Sequence, residues 1–197
     1  MFVNYRHIKD KFRAIYIFGM ILLSNSFLAV GQEKITIEYT PIGHFESEYS
    51  PETGAPRQGI LFPESEARIV IYDEYQAGLQ TLSLFEYIIV IYHFSLTESW
   101  DSTVNPPAAN HLHNFGVFST RSPKRPNPIG FSVIKLDKIE DGVLYVSGTD
   151  AFDGTPVLDI KPYLPSIDKV ESIQNSLIEL ELGHHDELFI NDTIFYK

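Results

Sequence analysis

Residues 132–148 read SVIKLDKIEDGVLYVSG, two apolar, β-branched runs (Ser132 to Ile139 and Val143 to Gly148) flanking Glu140-Asp141-Gly142. An Asp-Gly pair between two such runs supplies the backbone freedom of a tight turn, so the stretch is a β-hairpin. Further out, Tyr87 to Phe94 (YIIVIYHF) is β-branched and aromatic on both faces, which suits a central strand, with His93 near its end. Alternation predicts a first strand from Ile35 to Tyr39 and a second from Ala67 to Tyr72. Asp73 is a candidate N-cap for a short helix through Leu82. A loop punctuated by Pro51, Gly54, Pro56 and Gly59 carries Arg57 and Gln58, Asp101 to Phe115 reads as loop, and Asp153-Gly154 marks another tight turn. Past Pro165 the chain offers a helix or strand over Val170 to Leu182 and a terminal strand from Glu187 to Tyr196. Many short strands with few helices predict a mainly β fold, an antiparallel barrel or sandwich. Nothing resembles the Gly-rich strand-to-helix turn of a Rossmann fold.

Directly before the hairpin, Gly116 to Ser132 reads GVFSTRSPKRPNPIGFS. Each proline fixes its own φ and pushes the preceding residue toward extended geometry, so this is a stiff loop presenting Arg121, Lys124 and Arg125. A stiff loop loses little entropy on binding, and fixed guanidinium groups suit an anionic or planar partner. An ordinary surface loop with solvated charges accounts for the same residues equally well.

Together with Asp150 to Pro165 (DAFDGTPVLDIKPYLP), GVFSTRSPKRPNPIGFS resembles the two signature blocks of the TsaA/TrmO family. Pro56-Arg57-Gln58 and Tyr92-His93 fall in the family's order, and the resemblance runs from about Tyr39 to Asp168. It implies an S-adenosylmethionine-dependent methyltransferase acting on N6 of threonylcarbamoylated adenosine 37, beside the tRNA anticodon. It further implies a compact antiparallel β-barrel with a few short peripheral helices, and a homodimer with the cofactor close to the subunit contact. Position by position, the cofactor is expected against Pro56, Arg57, Gln58, Tyr92, His93, Arg121, Phe131, Asp150, Ala151, Phe152 and Asp153. His93 and Asp150 are the candidate catalytic residues, and Lys124 and Arg125 the candidate RNA contacts. Either Arg57 or Arg121 would take the cofactor carboxylate as a bidentate pair.

Methylating an exocyclic amine is an in-line displacement that needs alignment and exclusion of water, and neither metal nor covalent intermediate. Asp150 and Asp153 sit on a turn after a strand and could take ribose hydroxyls and the methionine ammonium. Asp before Gly is also a common turn-former, the stronger alternative for Asp153. A lone His at a strand end is more often structural, and Asp159 and Lys161 suit a structural ion pair. His111-Leu112-His113 and His184-His185-Asp186-Glu187 lack helical spacing and a nearby third ligand, so no metal site is expected.

The 197 residues allow one domain, and 44% hydrophobic with 21% charged residues is globular composition. Absence of cysteine excludes a disulfide, a thiolate nucleophile and a cysteine-based metal centre. The formal charge of −11 runs against nucleic-acid binding, which usually needs a basic face. Family members also carry arginines around a Pro-Pro pair, where this chain has Asp101, Asn105, Ala108 and Asn114.

Residues 1 to 31 join a basic start (Arg6, Lys9, Lys11, Arg13), an apolar run from Ala14 to Leu23, and Ala29-Val30-Gly31. That is the layout of a secretory signal peptide, with a membrane anchor over residues 14–30 and a mis-assigned start codon as alternatives. Residues 32–168 are then the barrel domain and 169–197 an extension packing on it. Export conflicts with the family's substrates, which place the protein in the cytoplasm. Two further functions therefore stand beside the tRNA enzyme: an exported or membrane-attached module that binds a nucleoside-like ligand or methylates another acceptor, and an inactive relative.

Overall fold

The computed structural model describes residues 35–105, 114–170 and, as backbone, 189–190. The chain from Tyr39 onward forms one compact unit; Ile35 to Glu38 belong to a separate one and have no regular structure. The strand expected over Ile35 to Tyr39 is therefore absent. Chain segments 1–34, 106–113, 171–188 and 191–197 lie outside the described residues, and with them the segment read as a signal peptide or anchor, both His clusters and nearly all of the element expected over Val170 to Leu182.

Six strands close a fully antiparallel barrel: β1 (Gly43–Ser47), β3 (Glu66–Ile71), β4 (Tyr87–His93), β7 (Ile129–Glu140), β8 (Val143–Ser147) and β9 (Pro156–Pro162). Their order around the barrel is β1-β3-β8-β7-β4-β9, with β9 returning to β1. Outside it, β5 (Thr103–Val104) pairs with β6 (Phe115–Gly116) inside the segment expected to be loop. Strand β2 (Ala55–Pro56) pairs with β10 (Phe189–Ile190), the described part of the expected terminal strand. A short helix, α1 (Pro165–Asp168), follows β9.

Period-2 alternation builds the interior. Ala67, Ile69 and Ile71 of β3, Ile88, Val90 and Tyr92 of β4, and Leu144 and Val146 of β8 all point inward and are buried. Phe45 does the same from β1, whose remaining residues, GH-ES, carry no apolar pattern. On the outer face Glu46 lies directly opposite Arg68 and pairs with it at 2.7 Å, an exposed contact of small energetic weight. Burying the inward set is what drives closure.

The 140–142 turn has positive φ at both central residues, 47° at Asp141 and 78° at Gly142, the geometry that matches the twist of the flanking strands. Asp73 does not cap the following helix. It is the first residue of a 3₁₀ segment, Asp73–Leu79, with Tyr72 before it in extended geometry, and its carboxylate accepts from Gln76 Nε2 at 3.0 Å. A second 3₁₀ turn, Leu82–Leu84, completes the connection to β4.

Candidate functional site

At one end of the barrel the chain leaves β8 at Gly148 and runs to Gly154 before β9 begins. This segment is pinned on two sides. Ser65 Oγ donates to the Thr149 carbonyl and accepts from the Thr149 N–H, both at 2.9 Å. From β1, Ser47 Oγ donates to the Ala151 carbonyl at 2.7 Å, and the Ser47 N–H donates to Asp153 Oδ1 at 3.1 Å. Gly154, at φ 73°, supplies the turn that lets Asp153 reach back to β1. Asp153 is thus a turn residue whose carboxylate already serves the backbone.

Asp150 is different. Although the residue keeps some solvent contact, its carboxyl is surrounded by protein, and the resulting desolvation pushes its pKa up to about 6. Its own N–H, the Ser132 hydroxyl, the Arg121 charge and the Gly59 N–H all act in the opposite direction. Gly59 comes this close because it has no side chain: a Cβ there would overlap the Gly148 carbonyl and Thr149 Cα. Ser132, from the inner face of β7, donates to Asp150 Oδ1 at 3.4 Å and shares a 3.1 Å hydrogen bond with Tyr92 Oη. Burial, then the Asp150 charge, raises the Tyr92 pKa, so the phenol keeps its proton.

Tyr92 closes the barrel end. Its ring meets Phe45 edge-on at 5.8 Å and Phe94 at 5.3 Å, and it lies over Gly130, where any Cβ would overlap the ring. A bulge in the β4–β9 pairing, where the register shifts between Ile91 and Tyr92, falls at this point. The cleft above is lined by Tyr92, Phe94, Asp150, Phe152, Asp153 and Thr155.

Of the expected cofactor residues, Gln58, Tyr92, Arg121, Asp150, Ala151, Phe152 and Asp153 come together here. Arg121 Nη1 donates to Gln58 Oε1 at 2.7 Å, and its remaining donors have no partner among the described residues. Pro56 and Arg57 enter through the same loop, Pro56 pairing with Phe189 in the β2–β10 ribbon. His93 and Phe131 do not join them. With Tyr92 inward, His93 and the residue opposite Phe131, Ile91, face outward, so both lie on the outer side of the β4–β7 ribbon. His93 and Asp150, the expected catalytic pair, thus sit on opposite faces of the strand, and the His93 ring has no hydrogen-bond partner among the described residues.

The two expected RNA contacts are already engaged. Lys124 Nζ lies 3.4 Å from Asp101 Oδ2, and Arg125 Nη1 donates to the Thr120 carbonyl at 2.8 Å, with Val117 and Ser122 carbonyls near and its guanidinium over the Phe118 ring. The stiff loop is held by its own cations. Asp159 and Lys161 form the structural ion pair expected of them. Among the described residues no cluster of His, Asp and Glu could hold a metal, and no helix is long and apolar enough to cross a membrane.

Sequence reasoning missed Ser132, Gly59 and Gly130. Only Ser132 carried a signal, as a polar residue at an inward position between Gly130 and Ile134.

Residues 44–169 match the family model described as the tRNA-methyltransferase O N-terminal domain. A probable S-adenosyl-L-methionine-binding protein of Pyrococcus abyssi is 37% identical over 83% of this chain and 87% of its own length. The human tRNA (adenine(37)-N6)-methyltransferase is 39% identical over 74% of this chain, which spans only 34% of that enzyme. A crystal structure of TrmO superposes with a TM-score of 0.61 at 34% identity, covering 73% of this chain and 64% of that one. Barrel, signature loops and these likenesses agree: the chain belongs to the tRNA-methyltransferase O family.

Proposed function

We propose that this protein is an S-adenosylmethionine-dependent methyltransferase acting on N6 of adenosine 37 of tRNA. The observation that carries the reading is the Arg121 guanidinium, held by Gln58 and close enough to act on the enclosed Asp150 carboxylate, which itself lines the cleft beside Tyr92, Phe94 and Phe152. This donor set fits the cofactor: a fork of N–H donors for a carboxylate, an acceptor for hydroxyl or ammonium groups, and the aromatic edges of Tyr92, Phe94 and Phe152 for a purine. When bound, the cofactor supplies an electrophilic sulfonium methyl group.

The chain's own residues bind, orient and exclude water. Arg121 takes the carboxylate, with Gln58 fixing the guanidinium plane, while Asp150 accepts from the ribose or the ammonium. Pro56, Arg57 and the backbone of Ala151 to Asp153 complete the walls. His93 and Phe131 act from the outer face of β4–β7, where a second subunit would bring its surface. In support of that homodimer, Phe131 and Ile129 expose 46% and 40% of their area side by side on this face. Sedimentation of the full chain is expected to give twice the chain mass, and Phe131→Glu to halve it; a wild-type monomer at micromolar concentration would remove the dimer.

With Lys124 beside Asp101, Arg125 turned onto loop carbonyls and a formal charge of −11 on the chain, tRNA binding is the weaker half of the reaction. The test is calorimetric titration of the full chain with S-adenosylmethionine, followed by methyl transfer to tRNA lacking the modification. Saturable binding is expected, weakened about 10- to 100-fold by Arg121→Ala, as loss of a charged hydrogen-bonded pair predicts. A folded protein that binds no cofactor would overturn the reading, and binding without transfer to tRNA would reject the acceptor alone.

A further inference from the structure

The geometry points to Ser132 as a positioning residue of the cofactor site: its hydroxyl, bridging Tyr92 Oη and Asp150 Oδ1, holds the Asp150 carboxylate in one orientation toward the cleft. The inference rests on the assignment of Asp150 to that site. It starts from an oddity of β7. The inward positions of this strand are Gly130, Ser132, Ile134 and Leu136, and the hydroxyl among them is half-buried, where protein partners replace part of its water. It has two, at 3.1 and 3.4 Å.

Chemistry fixes the direction of both bonds. An ionised carboxylate can only accept, so Ser132 O–H donates to Asp150 Oδ1. Having spent its one proton, the Ser132 oxygen accepts from the Tyr92 hydroxyl, which keeps its own proton because burial and the neighbouring carboxylate oppose its loss. The result is a one-way chain of donors, Tyr92 to Ser132 to Asp150, from two adjacent strands into one carboxylate. The other groups facing that carboxylate are the Arg121 guanidinium from the loop before β7 and the Gly59 N–H from the turn after β2. Tyr49, beyond β1, also feels its charge, and Asp153 lines the same cleft. Among the described residues Ser132 is the side-chain hydroxyl that donates to this carboxylate, a role that a backbone N–H, a guanidinium charge or a second carboxylate does not duplicate.

The test compares wild type, Ser132→Ala, Ser132→Thr and Tyr92→Phe. Carbon-13 NMR titration of the Asp150 carboxyl in the cofactor-free protein is read beside S-adenosylmethionine affinity as a function of pH. Removing a donor to the ionised form is expected to move the Asp150 midpoint in Ser132→Ala upward by about half a pH unit or more. The acid limb of cofactor binding should move with it. Ser132→Thr, which keeps the hydroxyl and suits a strand, is expected to restore both, and Tyr92→Phe to give a smaller shift in the same direction. An unchanged Asp150 midpoint in a folded Ser132→Ala protein, or a Thr variant that behaves as Ala does, would overturn the role. Failure of wild type to bind the cofactor would instead remove the site assignment, and with it the positioning role. A shifted NMR midpoint in that case would leave only a structural bond.

Discussion

Gly130→Ala is expected to destabilise the protein by about 2–4 kcal/mol and to weaken cofactor binding with it. The added methyl group has nowhere to go, because it would fall inside the Tyr92 ring, and Gly130 sits directly opposite Tyr92 in the β4–β7 pairing. Displacing the ring breaks its edge contacts with Phe45 and Phe94 and the hydrogen bond to Ser132, so one methyl group disturbs core and cleft together. Urea denaturation measures the cost. The effect is specific to the ring, so in a Tyr92→Ala background, itself several kcal/mol less stable, the same glycine change is expected to cost under about 1 kcal/mol. A Gly130→Ala protein with wild-type stability and affinity would show that the strands separate more easily than the packing implies.

Asp150→Asn is expected to do the reverse, to stabilise the fold while impairing the site. An ordinary Asp titrates near pH 4 and Asp150 is pushed up to about 6, so the folded protein holds this proton more tightly than the unfolded chain does. Stability from the group is therefore full below about pH 4 and is lost as pH rises through 6. At pH 8 the ionised carboxylate costs about 1–3 kcal/mol, which the neutral amide avoids while still accepting from Gly59 and Ser132. The variant's advantage should vanish near pH 4. Its affinity for S-adenosylmethionine should fall about tenfold or more, the usual exchange of stability for function. Melting curves at pH 4 and pH 8 decide it; an advantage that is absent, or equal at both, would mean the carboxylate is better solvated than its surroundings indicate.

The local parts of this architecture were legible in the residues. Glu140-Asp141-Gly142 makes its turn with near neighbours, Tyr87 to Phe94 is β-branched wherever it is placed, and the proline-rich loop is stiff by virtue of its own rings. Strand β1 was not legible. Its GHFES carries one apolar side chain, and it is a strand because β3 and β9 hydrogen-bond to it, whereas Ile35 to Tyr39 alternates well and pairs with no strand among the described residues. Strand β9, bounded by Pro156 and Pro162, hides within a signature block for the same reason.

The site divides along the same line. The family resemblance pointed to Gln58, Arg121 and Asp150 as cofactor residues, whereas their residue types alone left an ordinary surface loop and a turn equally open. Which groups share a face depended on the fold. Strand alternation sends Tyr92 and His93 to opposite sides, and Lys124 and Arg125 turn their charge on Asp101 and on nearby carbonyls. Ser132 acquires a role only because β4 and the segment after β8 bring Tyr92 and Asp150 within reach. Charge, stiffness and turn propensity are properties of a residue and its near neighbours. Burial, pairing and the raised Asp150 pKa arise between residues far apart in sequence, and only the closed barrel brings those together.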